Sequence, residues 1–411
     1  MNQNGEGAVT IPLKKMLFVE IGTTNTIITT LFLEPGYDML FSIEKEKKFF
    51  TGKGADANNY LLKSMVLLDQ LNDSIKAIEE ANYDVNNLIN LYNSFELKFA
   101  DFHKRYSDSI HFTKEVDYLL RNKNYSFILM RKQWNLLDFE QNEIDSLNLE
   151  SKLGLLKNDI FKDTLLIQSN CSDFSTFLSD NCKQNIAKSI PFNPSEMAIL
   201  PVILLNKIKE STQYSKEIKE FLLFDNLNYL FYFFGITHTI DSLSKMLKET
   251  YPTSEYLILL SDAYKKFKHL ISGNPAPNFQ GTTPEGKVYS LSDFKGKMVF
   301  IDVWATWCGP CIEELPYTHK LQESFKNNKD IVFLFISRDR KENAWKEYLI
   351  QHPELNGIHL RIDNRSFIDA YVITGIPRYI MIDKQGKIIN AFTSKPSSKK
   401  IKKEIEDALL K

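Results

Sequence analysis

Trp307-Cys308-Gly309-Pro310-Cys311 decides the reading of this chain. It follows an apolar run, Met298 to Val303, that reads as a buried strand, and it leads into Ile312-Glu313-Glu314-Leu315, which opens a helical pattern. A strand that delivers a Cys-x-x-Cys pair to a helix start is the setting in which two thiols perform redox chemistry. The helix start offers backbone N–H groups without partners and the positive end of a dipole. The Cys308 thiol is therefore expected to ionise well below the roughly 8.5 of a free cysteine, which makes Cys308 the expected nucleophile. Cys311, one helical turn further in, is placed to attack a disulfide formed on Cys308 and to release what is bound there. The pair is expected to cycle between dithiol and disulfide.

Two other readings of the pair are weaker. Half of a zinc site would need two more thiolates or imidazoles at ligand spacing, and the remaining cysteines, Cys171 and Cys182, have no nearby His. A structural pair of buried cysteines is poorly served by a Gly-Pro insert and a flanking Trp. Further along, Tyr371-Val372-Ile373-Thr374-Gly375-Ile376-Pro377-Arg378 precedes a strand, Tyr379 to Ile382. A proline at the mouth of a strand is often cis or in a turn. A cis Pro377 would leave the Ile376 backbone free to pair with an extended peptide, held by strand addition beside Cys308. The alternative is a trans proline that merely opens an edge strand.

These residues resemble a known family. WCGPC, an acidic residue (Asp302) six positions before Cys308, and TGIP ahead of a strand together resemble a thioredoxin-like domain. Gly273-Asn274-Pro275-Ala276-Pro277-Asn278-Phe279 and Leu291-Ser292-Asp293-Phe294-Lys295-Gly296-Lys297 are similar to the TlpA/ResA-like branch of thiol-disulfide oxidoreductases, which carries an extra N-terminal hairpin and a helix-containing insert between the central strands. The resemblance covers Gly273 to Lys411. It implies an α/β thioredoxin-like C-terminal domain, with a central mixed sheet flanked by helices, and a protein-disulfide reductase activity without cofactor or metal. The implied partners are a disulfide-containing protein as substrate and an upstream electron-donor thiol protein, which could be membrane-bound. Peroxiredoxins share much of the lead-in, but their Pro-x-x-x-Thr-x-x-Cys setting is missing, because residues 301–307 contain no proline.

The resemblance also implies roles for single residues. Asp302 matches a buried acid beneath the cysteine pair. A desolvated carboxylate has a raised pKa and can take the proton from Cys311. Glu314 matches a second acid of the ResA-like branch, on the turn after Cys311 and facing back towards the pair. Trp307, Gly309, Pro310, Gly375, Ile376 and Pro377 frame the substrate peptide. The plain alternatives are a solvated strand-end carboxylate for Asp302 and a first-turn acid favoured by the helix dipole for Glu314. Gly309-Pro310 puts no His beside either cysteine, so the resemblance to reducing thioredoxins favours a reductant. Arg378, where thioredoxins usually have Thr, either depresses the thiolate pKa or points to water.

Composition bounds the rest. The chain has 411 residues, 43% hydrophobic and 25% charged, enough for two or three ordinary globular domains. Its formal net charge of -1 leaves no electrostatic footprint for nucleic acid, and the late lysines, Lys395, Lys399, Lys400, Lys402 and Lys403, read as the wet face of a final helix. No segment reads as membrane-spanning, since the most apolar stretch, Phe221 to Ile240, contains Asp225, Asn226 and Asn228. No signal peptide is visible in Met1 to Thr10, whereas the resemblance implies the periplasm or cell envelope. A targeting segment absent from this numbering is the expectation.

Three regions follow: 1–54, a small β-rich segment; 55–272, an α-helical domain; and 273–411, the thioredoxin-like domain. Of 16 glycines, the long middle holds only Gly154 and Gly235. Leu61, Met65, Leu68, Leu71, Ile75 and Ile78 form one apolar stripe at helical spacing, and Val85, Leu88, Tyr92, Phe95, Phe99, Phe102 and Tyr106 form another. Pro191-Phe192-Asn193-Pro194 reads as a turn between helical halves. Thr26 to Leu33 and Met39 to Ile43, around Glu34-Pro35-Gly36-Tyr37, read as strand, turn, strand within one small sheet. On one continuous helix Cys171 and Cys182 would stand about 16 Å apart, so a bond between them needs a turn, and two free thiols are the favoured state. The front two thirds are expected to select or position the substrate or to make an oligomer. The runner-up reading is a partner-binding helical protein with an accessory redox domain.

Overall fold

The computed structural model describes residues 7–410 apart from 24–25, 45–46, 82–83, 137–138, 140–143, 146, 156–157, 189–199 and 363–364. The chain divides into two units, Met1–Asp225 and Asn226–Lys411. In the first, strand β1 (Leu17–Thr23) pairs antiparallel with β2 (Thr26–Leu33), and β3 (Asp38–Glu44) pairs antiparallel with β4 (Lys47–Lys53). The turn expected at residues 34–37 forms, with the Tyr37 N–H donating to the Glu34 carbonyl at 3.1 Å. It separates two hairpins, however, rather than joining the strands into one sheet.

The reason lies in two adjacent asparagines near the start of helix Ala55–Glu80. Asn58 accepts the Phe32 N–H and donates to the Phe32 carbonyl, both at 2.8 Å. Asn59 does the same for Phe50, both at 2.9 Å. Each side-chain amide replaces a neighbouring strand at one residue and so satisfies backbone groups that would otherwise lack partners. Gly54 at φ +97° makes the junction, where an added Cβ would meet the Tyr37 ring at 2.2 Å, so only glycine fits.

The helical expectation for the middle holds in the helices Ala55–Glu80, Val85–Ser109 and Lys114–Asn135. Leu61, Leu68, Leu71 and Ile75 are buried from the first stripe, and Leu88, Tyr92, Phe95 and Phe99 from the second. Asp84 and Thr113 cap the later two helices by accepting the Asn86 and Val116 N–H groups. Cys171 and Cys182 are buried free thiols, and helix Ser172–Lys188 lacks the turn that a bond between them needs. Burial pushes both thiols up to about 11, which leaves them poor nucleophiles. The turn expected at residues 191–194 lies outside the described residues. Among the described residues, no helix is long and apolar enough to cross a membrane.

The second unit carries a seven-stranded mixed sheet. Its strands are β5 (Gln280–Thr282), β6 (Val288–Ser290), β7 (Met298–Trp304), β8 (Ile331–Ser337), β9 (Ile358–Arg361), β10 (Arg378–Ile382) and β11 (Ile388–Asn390), in the order β11-β10-β7-β8-β9-β5-β6. β7, β8 and β9 are parallel neighbours, joined through helices Gly309–Ser324 and Glu342–Gln351, and β10 runs antiparallel to β7. This is the thioredoxin-like α/β arrangement, with the extra hairpin β5–β6 at its edge. All seven residues of β7 are buried, as a central strand covered on both faces requires. Phe300, Phe333, Phe335, Trp304 and Trp345 form the core on one face with Ile401 and Ile405 of the final helix, Ile401–Leu409.

Candidate active site

β7 runs past Asp302 and ends at Trp304, and residues 305–307 then carry the chain to Cys308, the N-cap of helix Gly309–Ser324. Pro310 stands in the first turn, where its missing N–H removes only a donor that the helix could not use. The Cys311 N–H donates to the Cys308 Sγ at 3.2 Å. The two sulfurs are joined in a disulfide of 2.05 Å, with Cα atoms 5.2 Å apart. Both cysteines are nearly buried, while the Trp307 side chain beside them is 66% exposed. Gly309 and Gly375 face open space, since a Cβ added at either would meet no atom within 4 Å.

The Ile376–Pro377 bond is cis, the first of the two alternatives read from the sequence. The Ile376 carbonyl oxygen lies 3.7 Å from the Cys308 Sγ. A sulfur engaged in a disulfide has no proton to donate, so this is proximity and not a hydrogen bond. It puts the backbone of residue 376 beside the reacting atom.

Asp302 lies within β7, two residues short of its end, rather than at a solvated strand end. Its Oδ2 accepts the Thr318 hydroxyl at 2.8 Å, while its Oδ1 is buried without a partner. Burial raises this carboxyl to about 7, with the nearby Glu314 charge adding to the effect and the Thr318 bond opposing it. Directly across the ladder from Asp302 stands Tyr379, whose hydroxyl is also buried without a partner. Cys311, Glu314 and Thr318 recur at steps of three and four, so they share one buried face of their helix above Asp302.

Glu314 is held firmly. Its carboxylate accepts the Ser397 N–H at 3.0 Å and the Ser397 hydroxyl at 2.7 Å, and it pairs with Lys395 at 3.2 Å. Lys395 therefore lies ahead of the final helix and serves a carboxylate, which corrects its reading as part of that helix's wet face. Arg378 takes neither course expected of it. It is buried, its guanidinium carbon is 3.4 Å from the centre of the Phe392 ring, and its Nη2 donates to the Val372 carbonyl at 3.4 Å. Burial pushes it down to about 9. It braces the segment leading to Pro377, where Val372 sits at φ +47°, unusual for a β-branched residue.

Sequence reasoning missed Asp339. This buried carboxylate follows β8 and accepts the Thr306 N–H at 3.1 Å, the Thr306 hydroxyl at 2.6 Å and the Ser337 hydroxyl at 2.8 Å. It fixes the loop that delivers Cys308 to its helix. The one sequence signal is an Asp just beyond an apolar strand, in a loop otherwise rich in arginine and lysine.

A family model described as Redoxin matches residues 271–409. The thiol-disulfide oxidoreductase ResA of Bacillus cereus (strain ATCC 10987 / NRS 248) is 34% identical over 149 residues, which cover 36% of this chain and 82% of that protein. ResA of Bacillus subtilis (strain 168) is 35% identical over 124 residues, covering 29% of this chain and 66% of that protein. Among solved structures, the thioredoxin domain of a thiol-disulfide oxidoreductase from Bacteroides vulgatus is 29% identical and covers 34% of this chain and 97% of its own, with a TM-score of 0.31.

Proposed function

Since this chain belongs, through its C-terminal third, to the ResA-like thiol-disulfide oxidoreductases, we propose that it works as a reductant of protein disulfides through Cys308 and Cys311. The observation that carries this reading is the seat of Cys308. Its sulfur receives the Cys311 N–H at the first turn of a helix, where a thiolate gains both a hydrogen bond and the helix dipole.

In the reduced protein the Cys308 thiolate attacks one sulfur of a substrate disulfide. The sulfur–sulfur bond of the substrate breaks, a mixed disulfide forms on Cys308, and the first substrate thiolate leaves. Asp302, held near neutrality by burial, takes the proton of the Cys311 thiol. The Cys311 thiolate then attacks the Cys308 sulfur, the second substrate thiolate leaves, and the Cys308–Cys311 disulfide remains. Two electrons have passed to the substrate, and a donor thiol protein returns the pair to the dithiol. Trp307, Gly375, Ile376 and Pro377 receive the substrate peptide. The open surface at Gly309 and Gly375 and the proximity of the Ile376 carbonyl to Cys308 support that assignment.

Gly309-Pro310 supports the reducing direction, because no His stands between the cysteines to stabilise the thiolate further. The cell-envelope location implied by the ResA-like resemblance is part of the proposal. The test is reduction of insulin by the full chain with a chemical thiol as donor. Turnover that disappears in Cys308→Ser supports the proposal, and turnover no faster than the donor alone removes it.

A further inference from the structure

β7, β8 and β9 end together, with Trp304 in register with Ser337 and Ser337 with Arg361. The chain leaves β7 into the loop that carries Cys308 and leaves β8 into Arg338-Asp339-Arg340-Lys341. The two loops are tied together. The Arg338 N–H donates to the Trp304 carbonyl at 2.8 Å, and Asp339 takes up Thr306, two residues before Cys308. The carboxylate of Asp339 is thus turned inward and engaged by hydrogen bonds. Among the described residues, no carboxylate lies within ion-pair distance of Arg338, Arg340 or Lys341. Arg340 and Lys341 are exposed, and Arg338 is half-buried.

Arg365, at the start of helix Arg365–Ala370, adds a further charge, with Asp369 only 3.9 Å away as its partner. Glu342 is occupied by Arg361 at 3.1 Å and Lys346 at 2.8 Å. Burial lowers the Arg338 pKa, and the nearby charges of Arg365 and Arg340 lower it further, which is the mark of like charges held together. This concentration of positive charge stands in a chain whose formal net charge is -1, so it is local.

We infer that Arg338, Arg340, Lys341 and Arg365 form a cationic rim beside Cys308 that docks acidic side chains flanking the disulfide of a substrate protein. The inference rests on the disulfide-reductase reading above and narrows its substrate class. Exposed charges of one sign act mainly on encounter, raising the rate at which a complementary partner arrives, and salt removes the effect.

The test uses the full chain, reduced, and three peptides of equal length that carry one intramolecular disulfide flanked by Glu, by Lys or by Ser. At low ionic strength kcat/KM is expected to be about tenfold or more higher for the Glu peptide than for the Lys peptide. At about 1 M salt, where the screening length is about 3 Å, the ratio is expected to approach one. Arg340→Glu, at an exposed position, is expected to lower the ratio at least about threefold at low salt, and Arg338→Gln with Arg340→Gln to bring it near one. Reduction of the Ser peptide with no preference between the charged peptides overturns the rim and leaves the reductase reading standing. Failure on all three peptides overturns the reductase reading itself. Capture of the protein by anionic phospholipid vesicles, lost in Arg340→Glu and unaccompanied by peptide preference, assigns the rim to a membrane surface and likewise overturns the inference.

Discussion

Replacing Asp302 by Asn removes a charge that the fold suppresses, and the change should be visible in stability before it is visible in catalysis. Burial holds this carboxyl at about 7 against an ordinary 3.8. That difference corresponds to about 4 kcal/mol acting against its anion in the folded state. Between about pH 4 and pH 7 the native protein binds more protons at this site than the unfolded chain does, so stability falls as pH rises through that window and levels off above it. Asn cannot titrate, so the variant escapes the loss. Its amide also leaves a donor where Oδ1 already lacks a partner, a cost of about 1–3 kcal/mol that does not depend on pH. The diagnostic quantity is therefore the change in the difference between the two proteins. From about pH 4 to pH 9, Asp302→Asn should gain about 4 kcal/mol relative to the wild type. Denaturant unfolding of the oxidised proteins, followed by the fluorescence of the buried Trp304 and Trp345, measures it. Stability curves that stay parallel within about 1 kcal/mol across that range would refute the desolvated carboxyl and its role as proton acceptor.

Three further outcomes follow from the same site. Asp339→Ala strips the Thr306 N–H and hydroxyl of their acceptor, and thermal unfolding should report a loss of about 2–4 kcal/mol with a fall in insulin reduction, whereas Asp339→Asn, which keeps one acceptor, should lose less of both. Glu314→Gln removes a charge that raises the Asp302 carboxyl, so the acidic limb of the pH–rate profile should move to lower pH. Lys395→Met breaks the Glu314 ion pair at its 66% exposed end and leaves both Ser397 bonds to Glu314 in place, so denaturant unfolding should report a change of less than about 1 kcal/mol.

The legible part of this protein was local. Cys308, Cys311 and the helix start between them are neighbours in the chain, and Asp302 is found by counting back along one strand. The apolar stripes of the helical region needed only the helical period. What escaped depends on groups brought together across the fold. Asp339 reaches Thr306 over 33 positions and Ser397 reaches Glu314 over 83, and no spacing rule connects them. The pairing of the N-terminal strands departs from the single sheet their pattern predicts because Asn58 and Asn59, polar residues on a helix, satisfy strand backbone that sequence patterns assign to another strand. The local sequence offers Arg378 only the thiolate or water, while the fold brings it the ring of Phe392, 14 positions on in the sequence.

The central claim is a division of labour between two sulfurs, in which Cys308 attacks and Cys311 releases. It is tested most directly by incubating reduced Cys311→Ser and reduced Cys308→Ser with a disulfide-bonded protein such as insulin and resolving the products without reductant. A stable mixed disulfide is expected on Cys308 in the first variant and none in the second. Equal trapping by both variants, or trapping through Cys311 alone, would contradict it.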